Sequence, residues 1–321
     1  MNLRNLLTIC ALLALGACST GSITGPIINN ARVAPLAQSV ASHILLGALI
    51  NPNNSSAGKT GDDGARYIAQ VPAFVKLTGV RPALLNMFVV FGDDFPTKSA
   101  QAANQMGAVP FITLRCDDVA KVAAGVDDAY YRKWFGQAAA YGKPVYVRTF
   151  HEMNLSDIHS CATQAQPALF VTAFQRIYTI AHKAAPNVKI VWCPSANLRT
   201  TDRFYPGDAY VDVIAADHYA NRVDGSYEGG VMNGPFPAWF AYYRPKNKPM
   251  MIAETAATQP FQADYIASLQ AWLPGSGVSG MLWWDSQGGG AHFDFSWNFG
   301  APGAAAWRAM GVAFSASSSA P

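Results

Sequence analysis

Eight short apolar runs, each followed by a stretch of helical character, constrain this chain more than any other feature. They fall at 44–50, 83–91, 109–114, 145–150, 189–192, 211–216, 250–253 and 280–284. Most are apolar throughout, with little alternation, as expected of strands covered on both faces in a parallel sheet. Helical stretches lie between them at 65–77, 98–106, 127–141, 167–184, 235–243 and 262–273, and 301–310 closes the last unit. Asp127 and Pro167 have the character of helix starts. The segment between the fifth and sixth runs has room for a small helix at most. This alternation predicts an α/β fold, a single-domain (β/α)8 TIM barrel. The alternative is an open doubly wound sheet, which carries a Gly-rich phosphate loop after its first strand. Gly58-Lys59-Thr60 stands in that loop, but Asn53 occupies the position where a P-loop needs glycine, so nucleotide binding is not expected.

The first 38 residues are read as lying outside the barrel. Arg4 supplies a positive start and residues 6–15 a short apolar run, too short to span a bilayer. The run ends in Leu15-Gly16-Ala17-Cys18, the arrangement of a bacterial lipoprotein signal, with Cys18 as the lipidated residue. An ordinary secretory signal is the alternative. Residues 1–17 are thus expected to be a signal peptide, 18–38 a lipidated N-terminus and tether rich in Gly, Ser, Thr and Asn, and 39–315 the barrel. One lipid-modified residue anchors a protein without spanning the membrane. Ser19 after the cysteine, in place of Asp, points to the outer membrane of the cell envelope.

About 300 residues remain, half of the chain is hydrophobic and few residues are charged, so a large core is expected. A net charge of +3 without a basic run argues against nucleic acid as a partner. Nothing points to oligomerisation, and a monomer is expected. Beyond Cys10 and Cys18, three cysteines remain: Cys116, Cys161 and Cys193. In an exported protein one disulfide is plausible. All three fall near one barrel end, and Cys116–Cys161 is the favoured pair because Cys193 looks embedded in a strand. Three buried thiols are the alternative.

Two carboxylates end apolar strands. Glu152 follows the fourth run and Glu254 the seventh. A carboxylate placed there is costly unless it faces solvent, a partner or a site. In a (β/α)8 barrel, active sites lie at the C-terminal ends of the strands, which puts both at the mouth. Paired carboxylates serve glycoside hydrolysis: one protonates the leaving oxygen while the other attacks the anomeric carbon or activates water. Glu152, with His151 beside it and a polar loop after it, suits an acid/base. Glu254 follows Met-Met-Ile-Ala and needs donors to stay ionised, and Arg148 and Tyr219 are the candidates. A metal mechanism finds little support. Leu155 stands where a His-Glu-x-x-His helix needs its second histidine, and the other histidines lack ligand spacing. No metal or cofactor is expected, and no Gly-x-Ser-x-Gly elbow is present.

Arg148-Thr-Phe-His-Glu-Met-Asn154 resembles the acid/base motif of glycoside hydrolase family 26. Tyr205-Pro-Gly-Asp-Ala-Tyr-Val-Asp212, running into Ala216-Asp-His-Tyr219, is similar to that family's sixth-strand signature. Lys248-Pro-Met-Met-Ile-Ala-Glu254 is similar to its nucleophile strand. Gly107-Ala-Val-Pro-Phe-Ile-Thr113 and Val191-Trp-Cys-Pro-Ser195 fit as well, so the likeness covers roughly residues 80–285. The resemblance implies a retaining (β/α)8 hydrolase with Glu152 as acid/base and Glu254 as nucleophile. It implies that His151 and Arg148 line the subsite of the cleaved sugar and that Tyr219 hydrogen-bonds the nucleophile. Trp283 or Trp284 would form the floor under that sugar. Asp217 and His218 would contact substrate or brace Tyr219, and Arg115 is a weaker candidate.

The same resemblance implies an endo-acting enzyme on a β-linked polysaccharide, with β-1,4-mannan first because most of the family acts on it. Mannanases continue after the motif with Gly and then Trp, whereas Leu155-Ser-Asp-Ile-His-Ser-Cys-Ala162 holds no aromatic. A β-glucan, a β-1,3-xylan or a bacterial exopolysaccharide are therefore the alternatives. A polysaccharide-binding lipoprotein on the same barrel is the non-enzymatic one.

Overall fold

The computed structural model describes residues 44–51, 64–115, 118–155, 166–222, 225–286 and 301–316. Cys18, Cys116, Cys161, residues 1–38 and the loop beyond Leu155 fall outside them. Eight parallel strands close into a barrel in chain order, the (β/α)8 arrangement expected from the alternation. The strands are β1 (Leu45–Asn51), β2 (Leu84–Val89), β3 (Val109–Leu114), β4 (Val145–Thr149), β5 (Val188–Trp192), β6 (Val213–Asp217), β7 (Met250–Thr255) and β8 (Val278–Ser286). Around them lie α1 (Ala65–Ile68), α2 (Val71–Thr78), α3 (Thr97–Gln105), α4 (Val119–Ala124), α5 (Asp128–Tyr141), α6 (Pro167–Ala184), α7 (Leu198–Thr201), α8 (Phe236–Tyr243), α9 (Gln262–Ser276) and α10 (Ala301–Ala316). No helix among the described residues is long and apolar enough to cross a membrane.

The core has two parts. Leu84, Phe111, Val191, Val213, Ala215, Met251 and Leu282 fill the barrel interior. The larger cluster, including Trp134, Phe170, Trp192, Trp239 and Trp307, packs the outer faces of the strands against the helices. Burial on both faces is why the strands read as unbroken apolar runs. Gly47 lets β1 and β2 approach: a Cβ there would lie 2.5 Å from the Leu84 Cβ and 2.6 Å from its carbonyl oxygen.

The expected helix at 65–77 is two helices, α1 and α2. Pro72 has no N–H to give a preceding carbonyl, so it opens a new helix instead of sitting inside one. The short α4 escapes a periodicity reading because it has six residues, too few to show a stripe; Asp118 caps it by accepting from the Ala120 N–H at 2.7 Å. In contrast, α9 runs past its expected end at Leu273, through Pro274, to the left-handed Gly277. The strands β6, β7 and β8 reach further toward the barrel mouth than their apolar runs, because Asp217, Glu254, Thr255, Asp285 and Ser286 are strand residues with polar side chains.

Candidate active site

The site is organised around Arg148, whose side chain is wholly buried at the end of β4. Nε donates to Thr113 Oγ1 at 3.0 Å, and Thr113 Oγ1 donates in turn to Asn86 Oδ1 at 3.0 Å. Nη1 donates to Asp217 Oδ2 at 2.7 Å, and Nη2 donates to Glu254 Oε1. The guanidinium also lies between two rings, 5.6 Å from the Phe88 centroid and 5.7 Å from that of Phe111. Burial works against its charge, but Asp217 and Glu254 outweigh it and push Arg148 above its ordinary value. One cation thus serves two buried carboxylates and offsets part of the charge cost of placing them there.

Glu254 takes its position from an irregularity in β7. Ala216 pairs with Ile252 and Asp217 with Glu254, so β7 carries one residue more than β6 at this point. Ala253 belongs to the interior cluster. Strict alternation would turn the next residue out toward the helices, but the extra residue returns Glu254 to the mouth. Its carboxylate is 6 % exposed and accepts from Arg148 on Oε1 and from the Tyr219 hydroxyl on Oε2. Burial, followed by the Glu254 and Glu152 charges, pushes the Tyr219 phenol well up, so it stays a neutral donor.

Glu152 stands on a sharp turn immediately after β4. Phe150 and Glu152 have φ of 49° and 53°, a left-handed conformation that neither residue type favours. Such strain persists only where the surroundings impose it. Here the Glu152 N–H donates to the Cys193 carbonyl at 2.8 Å. Asn154 clasps the loop after β5 from both ends of its amide, accepting from Ser195 N–H at 2.9 Å and donating to the Ser195 carbonyl at 3.0 Å and to Thr200 Oγ1 at 2.9 Å. The turn is therefore tied to β5 by backbone and side chain alike.

Several expectations need correction. Arg148 does not line an open subsite; it is buried and reaches outward only through Glu254. Asp217 neither faces an open subsite nor braces Tyr219. It is fully buried, pairs with Arg148 and accepts from the Cys193 thiol at 3.1 Å. Burial pushes the Asp217 carboxyl well up, Arg148 draws it back, and Glu254 and Glu152 add to the rise. His218 follows β6 directly, between the inward-pointing Asp217 and Tyr219, and turns the other way. Its Nε2 is 2.8 Å from Glu228 Oε2, and its ring meets Phe236 of α8 edge to face. Trp283 is also turned outward, fully buried against Tyr265 and Trp307. Trp284 is the member of the pair at the mouth, meeting Phe88 and Tyr219 edge to face at 5.7 Å and 6.3 Å.

His151 is nearly buried, with its ring edge to face on Phe88 at 5.4 Å. Phe88 thus joins His151, Trp284, Arg148 and Arg115, yet nothing in the sequence marks it beyond its place at a strand end. Thr113 and Asn86 were likewise hidden among apolar neighbours. Cys193, read in the sequence only as a thiol, is a buried free cysteine that bridges Arg148 and Asp217. Burial, followed by Asp217, pushes its thiol well up, with Arg148 opposing. No group of His, Cys, Asp and Glu among the described residues is arranged to hold a metal ion.

Residues 115–243 match Glycosyl hydrolase family 26. That span holds Arg148, Glu152, Cys193, Asp217 and Tyr219, while Glu254 lies beyond it. Endoglucanase H of Acetivibrio thermocellus is 26% identical over 205 residues, 59% of this chain. The chain spans only 23% of that relative's length. Among solved structures, a family 26 β-mannanase from Bacteroides ovatus superposes with a TM-score of 0.61 at 14% identity, over 84% of this chain and 88% of the other. A Bacillus subtilis mannanase superposes with a TM-score of 0.56 at 16% identity, over 82% of this chain and 84% of the other. A likeness at such identity is one of fold. The chain is thus a (β/α)8 barrel that carries, over residues 115–243, the signature of Glycosyl hydrolase family 26.

Proposed function

We propose that this chain is a retaining glycoside hydrolase that cleaves a β-linked polysaccharide internally, with Glu254 as nucleophile and Glu152 as acid/base. The observation that carries the reading is the pairing of Glu254 with Arg148 and Tyr219 at the C-terminal mouth of the barrel. Both carboxylate oxygens receive a donor, which fixes the orientation of the group at the mouth. Arg148 divides its charge between Glu254 and Asp217, so its hold on the nucleophile is moderated. In the first step Glu152 gives its proton to the leaving oxygen as Glu254 bonds to the anomeric carbon. In the second, Glu152 takes a proton from the water that releases the sugar. Trp284, beside both Phe88 and Tyr219, offers an aromatic surface to that sugar.

The acid/base role is tested by Glu152→Ala. Losing a general acid lowers turnover roughly 10²–10⁴-fold. On an aryl β-glycoside with a good leaving group, azide should restore part of it and yield a β-glycosyl azide by NMR. An α-azide would overturn retention, and the absence of rescue would overturn the role of Glu152. Tyr219→Phe removes a hydrogen bond to a charged group, worth about 1.5–3 kcal/mol, so kcat/KM should fall about 10–150-fold. An unchanged value would remove Tyr219 from the mechanism.

For substrate, β-1,4-mannan is the first reading, supported by the mannanases that share the fold. A β-glucan is the second, supported by the relative named Endoglucanase H and by the lack of an aromatic in residues 155–162. Incubation with mannan, β-glucan, β-1,3-xylan and exopolysaccharide, with products read by mass spectrometry, separates them. The signal-like start supports export and lipid attachment at Cys18 in the cell envelope. Palmitate labelling of the wild type that is lost in Cys18→Ala is the expected result, and labelling that survives overturns it.

A further inference from the structure

The rim of the mouth above β2 and β3 holds two guanidinium groups that the chemistry above does not use. Arg115 follows β3 and continues the inward alternation of Phe111 and Thr113. It is exposed, and its guanidinium carbon lies 5.6 Å from the Phe88 ring centroid. Arg148 lies at the same 5.6 Å from that ring, so the two guanidinium carbons are at most twice that distance apart. Arg66 stands at the start of α1, the helix that follows β1 and therefore begins on the mouth side of the barrel. Its Nη2 donates to the Tyr67 hydroxyl at 2.8 Å, and its guanidinium covers the Tyr67 ring at 4.7 Å. The Tyr67 phenol adjoins the Phe88 backbone and lies within reach of the Arg115 charge. Both cations therefore converge on one edge of the mouth, around Tyr67 and Phe88.

Their bonding is incomplete. Among the described residues neither Arg66 nor Arg115 pairs with a carboxylate; Arg132, Arg148 and Arg176 do, while Arg244 and Arg308 spend their N–H groups on backbone carbonyls instead. Arg66 Nε is shielded from solvent and has no acceptor among the described residues. A buried donor without a partner is costly, and a guanidinium fork matches a carboxylate in shape and charge. Aromatic faces hold both groups without neutralising them.

We propose that Arg66 and Arg115 form an anion-binding subsite on the β2–β3 side of the mouth, and that the polysaccharide taken by this chain carries a carboxylate beside the sugar being cleaved. The inference rests on the glycoside hydrolase reading for the identity of the polymer but not for the existence of the subsite. Glu152, Glu254 and Asp217 give the centre of the site an acidic balance that Arg148 only partly offsets. An acidic polymer needs cations offset from that centre to approach it, and the Arg66–Arg115 edge supplies them.

The test compares one backbone with and without the charge. Glu254→Gln protein is titrated by calorimetry with neutral glucomannan and with carboxymethyl-glucomannan. At low salt the carboxymethylated polymer should bind at least about tenfold tighter, and the advantage should shrink as ionic strength rises. The double variant Arg66→Gln/Arg115→Gln should bring the two affinities within about threefold of each other, with Arg66→Lys/Arg115→Lys retaining part of the preference because it keeps the charge. Equal binding of the two polymers by the starting protein, or a preference that survives the glutamine pair, overturns the subsite. If selectivity is absent while Glu152→Ala is rescued by azide, the subsite fails and the hydrolase reading stands. If selectivity is present while no polymer yields product, the hydrolase reading fails and the subsite stands.

Discussion

Glu254→Gln should lower kcat on any substrate by about 10⁴–10⁶-fold, the scale on which losing a covalent nucleophile is felt. The substitution is close to isosteric and removes one charge. Arg148 would keep Asp217 as its counterion at 2.7 Å, and Tyr219 would keep a neighbouring oxygen or amide. The fold should therefore survive, with stability changed by roughly 1 kcal/mol, the net worth of an ordinary hydrogen bond. Activity and stability must be measured together. Steady-state rates on an aryl β-glycoside, a melting curve and intact-mass analysis for a trapped glycosyl-enzyme suffice. Turnover near that of the wild type would end the assignment of Glu254, while a collapsed melting temperature would move the residue from chemistry to structure.

Arg148→Met should cost both. It leaves the Asp217 and Glu254 carboxylates facing each other below the surface without a cation, and breaking a buried pair on one side costs about 3–5 kcal/mol. At about 2–4 °C per kcal/mol for a chain of this size, the melting temperature should drop by roughly 6–20 °C. The deficit should depend on pH in a defined direction. Burial already raises the Asp217 carboxyl above its unfolded value, and Arg148 is the main force holding it down. A carboxyl raised on folding contributes stability in acid, below its unfolded value, and loses it as pH rises through the folded value. Without Arg148 the rise is larger, so the variant should come closest to the wild type in acid and fall furthest behind near neutrality. Adding Asp217→Asn should recover part of the loss by removing one of the two charges. A melting temperature unchanged at neutral pH, or a deficit that grows in acid, would contradict this account of the buried network.

Much of this architecture is legible along the chain because burial on both faces leaves a one-dimensional trace. Eight apolar runs separated by helical stretches admit few folds, and the barrel follows. A barrel that carries its chemistry at strand ends then singles out Glu152 and Glu254. Local rules failed where the helices were short or interrupted, as at Pro72, α4 and Pro274, since a few residues hold too little period to register.

The sequence by itself determined the strand order, the end of the barrel that carries the carboxylates and the residue types present there. Only the tertiary structure decided which way those side chains face and what they touch. Alternation would turn Glu254 outward, and one extra residue in β7 brings it back. Trp283 and Trp284 are equivalent as letters, yet Trp283 packs against Trp307 and Trp284 against Phe88. Thr113, Cys193 and Asp217 lie 35, 45 and 69 residues from Arg148 and become its partners only when the barrel closes. The reason is physical. Strand and helix formation depend on neighbours a few residues apart, so the sequence records them directly. The charge balance of a buried site depends on groups that the chain brings together only once it has folded.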